Sequence, residues 1–376
     1  EITEKRKKKK TPRYKNNKEQ KKMLSRNLTC SADAEPPTGI YKTQPHLKPK
    51  SKYLTINNTS GEIINGELVV ENVPLTYEGY TYRHSYIAYI KGRPPAPVIL
   101  VHPNYAGLKQ FDIDQACFLA RCGYVGFALD LYKEVEDYKF EDRNPSKDRS
   151  TKALRDLARR HFAGAFAAMN DALRHPKHWR GLMNAYLQHS FTHPAVKAKH
   201  AGAVGYCFGG QCLLEQVRAG HDVQAVVSFH GLLYSRPTYK DDPLGRKRPN
   251  GENRLTVEEF EEEVDTAPNL YAKNCKVLIE NGDLDDEVPD WSLAEWKKEM
   301  DDAGIDWRFH NHAKTPHGFA LAEGVWSTAY TEAADRRSTL SMLSLFAETW
   351  PQYPQFYVER NACGTMLNQT ILTQAR

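Results

Sequence analysis

Apolar positions along this chain alternate between two rhythms. Residues 97–102 (Pro-Val-Ile-Leu-Val-His) form an uninterrupted apolar run, the pattern of a strand buried on both faces of a sheet. Similar short runs predict strands at 124–131, 201–206, 223–229, 277–279 and 307–309. Between them the period lengthens. Ile113, Ala116, Cys117 and Ala120 share one helical stripe that Gly123 can close, and Leu154, Leu157, Ala158, Ala165 and Met169 share another within 151–173. Leu340, Leu343, Ala347 and Trp350 mark a last amphipathic helix. Strands and helices in this alternation predict an α/β fold, a mostly parallel sheet with helices on both faces. Residues 237–268 break the rhythm with a charged, Pro- and Gly-containing start and an acidic helical piece at 257–264. Lying between two predicted strands, this segment reads as a lid-like insertion over the strand ends where ligands bind, or as an inert surface loop.

The chemistry is concentrated in three places. Gly205-Tyr206-Cys207-Phe208-Gly209-Gly210 joins a predicted strand to a predicted helix, and small residues on both sides of a nucleophile allow the sharp turn of a nucleophile elbow. The elbow here carries a thiol, Cys207. Gly282-Asp283-Leu284-Asp285-Asp286-Glu287-Val288-Pro289 follows the next strand but one, and His317-Gly318-Phe319 follows the last. Nucleophile, acid and histidine thus run in the order Cys, Asp, His, each just past a strand, as in an α/β-hydrolase triad. Asp285 is the favoured acid, with Asp283 and Asp286 as alternatives. Cys212 reads as a packing residue. His310 and His312 share a strand face but lack a third ligand at fixed spacing, so structural roles outrank a metal. His102 and His230 border the expected pocket.

These motifs, with Ser228-Phe229-His230-Gly231 and Asp130-Leu131-Tyr132, resemble those of the dienelactone hydrolase family over about residues 70–350. The resemblance implies one α/β-hydrolase domain at 66–350 with a triad of Cys207, His317 and Asp285, and no metal or organic cofactor. The helix dipole behind Cys207 favours a thiolate. The oxyanion is expected to meet backbone N–H groups of Phe208, directly after the nucleophile, and of Tyr105, after the first buried strand. Substrates would be small-molecule esters, lactones or thioesters. Three further positions depart from the family pattern. Asn104 stands where many members place a glutamate that influences the resting cysteine. Glu134, two residues after Tyr132, and Leu321, two after Phe319, stand where enzymes acting on the anionic dienelactone place arginines. Pocket candidates are therefore Asn104, Tyr132, Glu134, His230 and Leu321, and a carboxylate-bearing lactone is disfavoured as substrate.

Composition adds limits. The chain has 376 residues and 40% hydrophobic content, enough for a substantial core, and no apolar run of the roughly 20 residues a membrane span needs. It opens on Glu1 rather than methionine, which reads as a fragment or a processed form. Seven scattered cysteines without C-x-x-C spacing favour a reducing, cytoplasmic setting. Sequons at Asn27, Asn57, Asn58 and Asn368 are compatible with secretion. The net charge of +5 belongs to the beginning: residues 1–26 hold twelve Lys/Arg against three Glu, so the rest of the chain is net negative. Residues 1–52 are expected to be a disordered basic extension and linker, and 351–376 a C-terminal tail. The block at 5–10 suits a nuclear address or contact with a polyanion, or is simply a solvated end. A second reading follows, a non-catalytic hydrolase-fold interaction protein with a polyanion-binding tail.

Overall fold

The computed structural model describes residues 54–57, 63–136, 138–143, 148, 150–234, 270–321 and 329–353, with backbone strands at Phe356–Arg360 and Met366–Ile371. The expected extension at 1–52 and the insertion at 237–268 lie outside the described residues. Eight strands form the main sheet: β1 (Leu68–Asn72), β2 (Tyr86–Ile90), β3 (Ala96–His102), β4 (Val125–Ala128), β5 (Val196–Tyr206), β6 (Ala225–Phe229), β7 (Lys276–Leu284) and β8 (Asp306–Pro316). Their spatial order is β8-β7-β6-β5-β3-β4-β2-β1. The six from β3 to β8 are parallel, while β1 and β2 are antiparallel at one edge. Every residue of β3, β4 and β6 is buried, which is why these strands read as continuous apolar runs.

Among the described residues six helices cover the sheet: α1 (Gln110–Arg121), α2 (Lys152–Arg174), α3 (Pro176–Ser190), α4 (Phe208–Arg218), α5 (Asp290–Ala303) and α6 (Glu332–Thr349). Two apolar clusters separate by face. Phe118 and Leu119 of α1 pack with Met342 and Phe346 of α6 in one; Trp179 of α3, Leu213 of α4 and Trp296 of α5 belong to the other. Two helices escaped the reading of the sequence. α3 starts with a proline in its first turn, where the missing N–H costs nothing, and buries Trp179, Leu182, Met183, Tyr186 and Leu187 at helical spacing. α5 stops at Gly304, which takes the left-handed conformation. The stripe expected on α6 holds in part: Leu343 and Trp350 are buried and Ala347 is half-buried, whereas Leu340 is 40% exposed, and the buried face also takes in Ala334, Ser338, Met342, Leu345 and Phe346. Of the stripe expected on α2, Ala165 and Met169 are buried and the residues nearer its start are half-buried. The segment after residue 350 contains an antiparallel hairpin. Among the described residues no helix is long and apolar enough to cross a membrane.

The chain crosses from β3 to β4 on one side and returns to β5 on the other, so the loops after β3 and β5 diverge. Such a switch point opens a crevice at the carboxyl ends of the strands. Cys207 and Tyr105 stand at its two lips.

Candidate active site

Cys207 links β5 to α4 with φ 56° and ψ −117°, a conformation that costs a non-glycine residue about 1–3 kcal/mol and persists only where its surroundings enforce it. The surroundings are backbone. The Cys207 N–H donates to the Phe229 carbonyl at 3.1 Å, and the Cys207 carbonyl accepts from Gly210 N at 2.9 Å. Each elbow glycine meets a separate constraint. A Cβ on Gly205 would stand 2.1 Å from the Gly209 carbonyl oxygen, one on Gly209 2.3 Å from that of His102, and one on Gly210 2.5 Å from the Gly231 Cα. Because Gly209 lies against the end of β3, the start of α4 and the loop after β3 face one crevice. The thiol is half-buried within it, whereas Cys212, one turn on, is fully buried and its thiol is pushed well up by burial.

His317 and Asp285 meet directly. The imidazole Nδ1 lies 2.9 Å from Oδ2 and 3.0 Å from Oδ1 of a carboxylate whose side chain is fully buried. Oδ1 also accepts from the Glu287 N–H at 2.9 Å. Asp283 and Asp286 are exposed, and Asp283 accepts from Asn311 instead. Burial alone would lower the His317 pKa, but the charges and hydrogen bonds of Cys207 and Asp285 outweigh it and hold the imidazole well above its ordinary range.

The loop after β3 is fastened at several points. Asn104 Oδ1 accepts from Ala106 N at 3.0 Å and from the Lys109 ammonium at 2.7 Å. The Tyr132 hydroxyl donates to the Tyr105 carbonyl at 3.0 Å, and the Tyr138 hydroxyl to that of Ala106 at 2.7 Å. Tyr105 N–H is thereby set by its neighbours, while Phe208 N–H belongs to the first turn of α4, where amides lack intrahelical acceptors. Lys109 and Tyr138 are residues that the motifs did not single out. Lys109 is buried 3.8 Å from Asp112 and within electrostatic range of Cys207; burial holds its pKa below the usual lysine value, and those two groups offset this only in part.

The other candidates separate. His230 is buried, with φ 40°, and its ring packs edge-on against His317 at 5.1 Å. Neither ring nitrogen has a hydrogen-bond partner among the described residues, and burial, then the neighbouring His317, holds its pKa well below normal. It stands as a neutral wall. Glu134 accepts from Phe140 N at 2.9 Å and faces His84 at 3.3 Å. Leu321 is buried in the apolar cluster that contains Phe319. His310 and His312 both turn to the buried carboxylate of Glu280, at 2.9 and 2.6 Å. Among the described residues no group of three or more His, Cys, Asp or Glu side chains could hold a metal ion.

A dienelactone hydrolase family model matches residues 84–350. An uncharacterized protein of Caenorhabditis elegans is 24% identical over 162 residues, 42% of this chain and 85% of that one. A probable 2-oxo-3-(5-oxofuran-2-ylidene)propanoate lactonase of Bradyrhizobium sp. is 23% identical over 248 residues, 63% of this chain and 82% of the lactonase. Among solved structures, a dienelactone hydrolase-like promiscuous phosphotriesterase from metagenomic libraries aligns with a TM-score of 0.52 at 23% identity, covering 75% of this chain and 98% of its own. That likeness is one of fold.

Proposed function

The chain belongs to the dienelactone hydrolase family and is a carboxylic ester hydrolase, and from that premise we propose that it cleaves a carboxylic ester, lactone or thioester through Cys207, His317 and Asp285. One observation carries the reading: His317 spends Nδ1 on a buried carboxylate, which leaves Nε2 for the thiol at the elbow. Asp285 fixes the tautomer and stabilises the imidazolium. The raised basicity of His317 supports an imidazolium as the proton donor that a leaving group needs.

In the first half-reaction His317 Nε2 takes the proton of the Cys207 thiol, the sulfur bonds to the acyl carbon, and the carbonyl electron pair moves onto oxygen. Backbone N–H groups of Phe208 and Tyr105 are the donors proposed for that oxyanion. Its collapse restores the carbonyl and breaks the bond to the leaving oxygen of an ester or lactone, or to the leaving sulfur of a thioester, which takes the proton from His317 Nε2. A thioester remains on Cys207. Water then gives a proton to His317 and attacks the thioester carbon; the sulfur leaves, and the acid is released.

The test compares two cysteines. Cys207→Ala is expected to reduce hydrolysis of short-chain 4-nitrophenyl esters to the uncatalysed rate, and Cys212→Ala to keep most of it, since only Cys207 is on the elbow. Equal steady-state rates in Cys207→Ala and the parent would remove the nucleophile from the scheme.

A further inference from the structure

Tyr105, whose backbone N–H is one of the proposed oxyanion donors, also places a ring at the lip of the crevice, and α2 meets that ring. Phe162 and Phe166 stand four residues apart on α2, with ring centroids 4.6 Å apart. Tyr105 lies 5.0 Å from Phe166 and 5.9 Å from Phe162, edge-on to the latter. The cluster grades from inside to outside. Tyr105 and Phe166 are half-buried at the margin of the same apolar cluster that Cys207 borders, and Phe162 is 42% exposed. The Tyr105 phenol is held well above its usual pKa by burial first and then by Cys207, so it stands within electrostatic range of the sulfur. An aromatic surface thus runs from Cys207 outward to α2.

Sheet order gives this surface a side. β5, which leads into Cys207, has β3 as one neighbour and β6, β7 and β8 in succession on its other side. Asp285 and His317 follow β7 and β8, and Tyr105 follows β3, so the imidazole and the aromatic cluster flank Cys207 from opposite directions. A leaving group has to reach His317 for its proton, which directs the acyl substituent toward Tyr105. We infer that Tyr105, Phe162 and Phe166 form the acyl subsite, and that it favours an aryl-bearing acyl group over an aliphatic one of equal size. This rests on the hydrolase reading above and adds the substrate class to it. Rings whose centroids lie about 4.5–7 Å apart in tilted or edge-on geometry attract one another beyond the area they bury, and the exposed ring of Phe162 offers that geometry to a guest ring.

The test uses the trifluoroethyl esters of phenylacetic, cyclohexylacetic and acetic acids, whose leaving group carries no ring, with acid release by the full chain followed in a pH-stat. Comparing each kcat/KM ratio between variant and parent cancels the intrinsic reactivity of the esters. The phenylacetate-to-acetate ratio should fall about tenfold in Phe162→Ala. The phenylacetate-to-cyclohexylacetate ratio should fall about threefold in Phe162→Leu, which stays apolar but loses the ring, and should return to the parent value in Phe162→Tyr. Benzyl acetate, with its ring on the leaving side, should keep its ratio to trifluoroethyl acetate in Phe162→Ala. Phenylacetate ratios that do not move in Phe162→Ala, or a loss confined to benzyl acetate, would overturn the subsite and leave the Cys207 chemistry standing. Absence of turnover of every ester would instead remove the hydrolase reading, and the subsite with it.

Discussion

Asp285→Asn removes a charge from the site while keeping its shape, and the geometry sets the size of the effect. The carboxylate has both oxygens within 3.0 Å of His317 Nδ1, and Oδ1 holds the Glu287 N–H. If the asparagine oxygen keeps the Glu287 bond, its NH₂ group faces Nδ1. That nitrogen must then accept, the proton moves to Nε2, and the face turned to Cys207 can no longer take a proton from the thiol. In the other orientation a neutral oxygen accepts from Nδ1, but the Glu287 amide is left facing NH₂. A hydrogen bond to a charged group contributes about 1.5–3 kcal/mol. The attraction between imidazolium and carboxylate at this range is about 4 kcal/mol at an effective dielectric of 20, and it overlaps with the bond. A loss of about 3–4 kcal/mol from the transition state corresponds to roughly 10²–10³-fold in kcat. Because Asp285 also helps to raise the His317 pKa, the pH limb governed by the imidazole should move to lower pH. The assay is kcat and kcat/KM for a neutral nitrophenyl ester across the neutral and alkaline range, with Asp283→Asn and Asp286→Asn as exposed controls. Retention of more than about a tenth of the activity by Asp285→Asn with an unmoved pH profile, or a comparable loss in Asp283→Asn, would refute the reasoning.

Lys109→Met should destabilise the protein by about 3–5 kcal/mol, since it leaves Asp112 buried without its cation. Adding Asp112→Asn should recover stability in urea melts but not kcat, because Asn104 Oδ1 still lacks the ammonium and keeps only the Ala106 N–H; full recovery of kcat would make Lys109 purely structural. His102 is buried and neutral, its pKa pushed down to about 4 by burial, with Gln216 and His221 as the smaller influences. An unfolded histidine binds its proton below about pH 6.5, so the contribution of this group is full above that pH and is lost as pH falls toward 4, about 2 kcal/mol of it by pH 5. Urea midpoints of the parent and His102→Gln should converge over that window, and parallel curves would exclude His102 as a source of acid sensitivity. With Glu134 and Leu321 at the two arginine positions, an uncharged lactone should exceed dienelactone in kcat/KM by at least about tenfold. A preference for the charged lactone in side-by-side kinetics would overturn that argument, and Leu321→Arg with Glu134→Arg should narrow the gap.

The fold was legible where one residue class had one physical cause. β3 and β6 are covered on both faces, so their only polar side chains are His102 and Ser228, in the last two positions of each strand. The elbow was legible for a similar reason: three glycines stand in one hexapeptide, and each is required by a separate close contact. Other features depend on pairing between distant segments. Glu280 lies opposite His310 in the β7–β8 register, so both histidines of the His-x-His pair reach its carboxylate from the neighbouring strand. The two histidines were visible in sequence; their partner, 30 residues earlier, was not. Lys109 precedes α1, where a lysine is usually solvated. It is buried because the loop after β3 folds back and offers Asn104 Oδ1 to its ammonium.

The acid loop shows how a local motif and a distant register combine. Sequence left three adjacent candidates, since Asp283, Asp285 and Asp286 all follow Gly282 within four residues. The register places them differently. Gly282 pairs with His312, but Leu284 pairs with Pro316, so β8 gains two residues on β7 across that interval, with Lys314 at φ 58°. The slip brings His317 level with Asp285. It also presses β8 onto the glycine: a Cβ at Gly282 would stand 2.3 Å from the Thr315 carbonyl oxygen. A glycine at the head of the acid loop is thus needed for the backbone contact that lets the bulge form. The bulge, in turn, turns Asp285 inward while its two acidic neighbours stay in solvent. The Gly-x-x-Asp spacing is informative because its glycine and aspartate answer to the same irregularity in β8, and that irregularity is visible only once the two strands are paired.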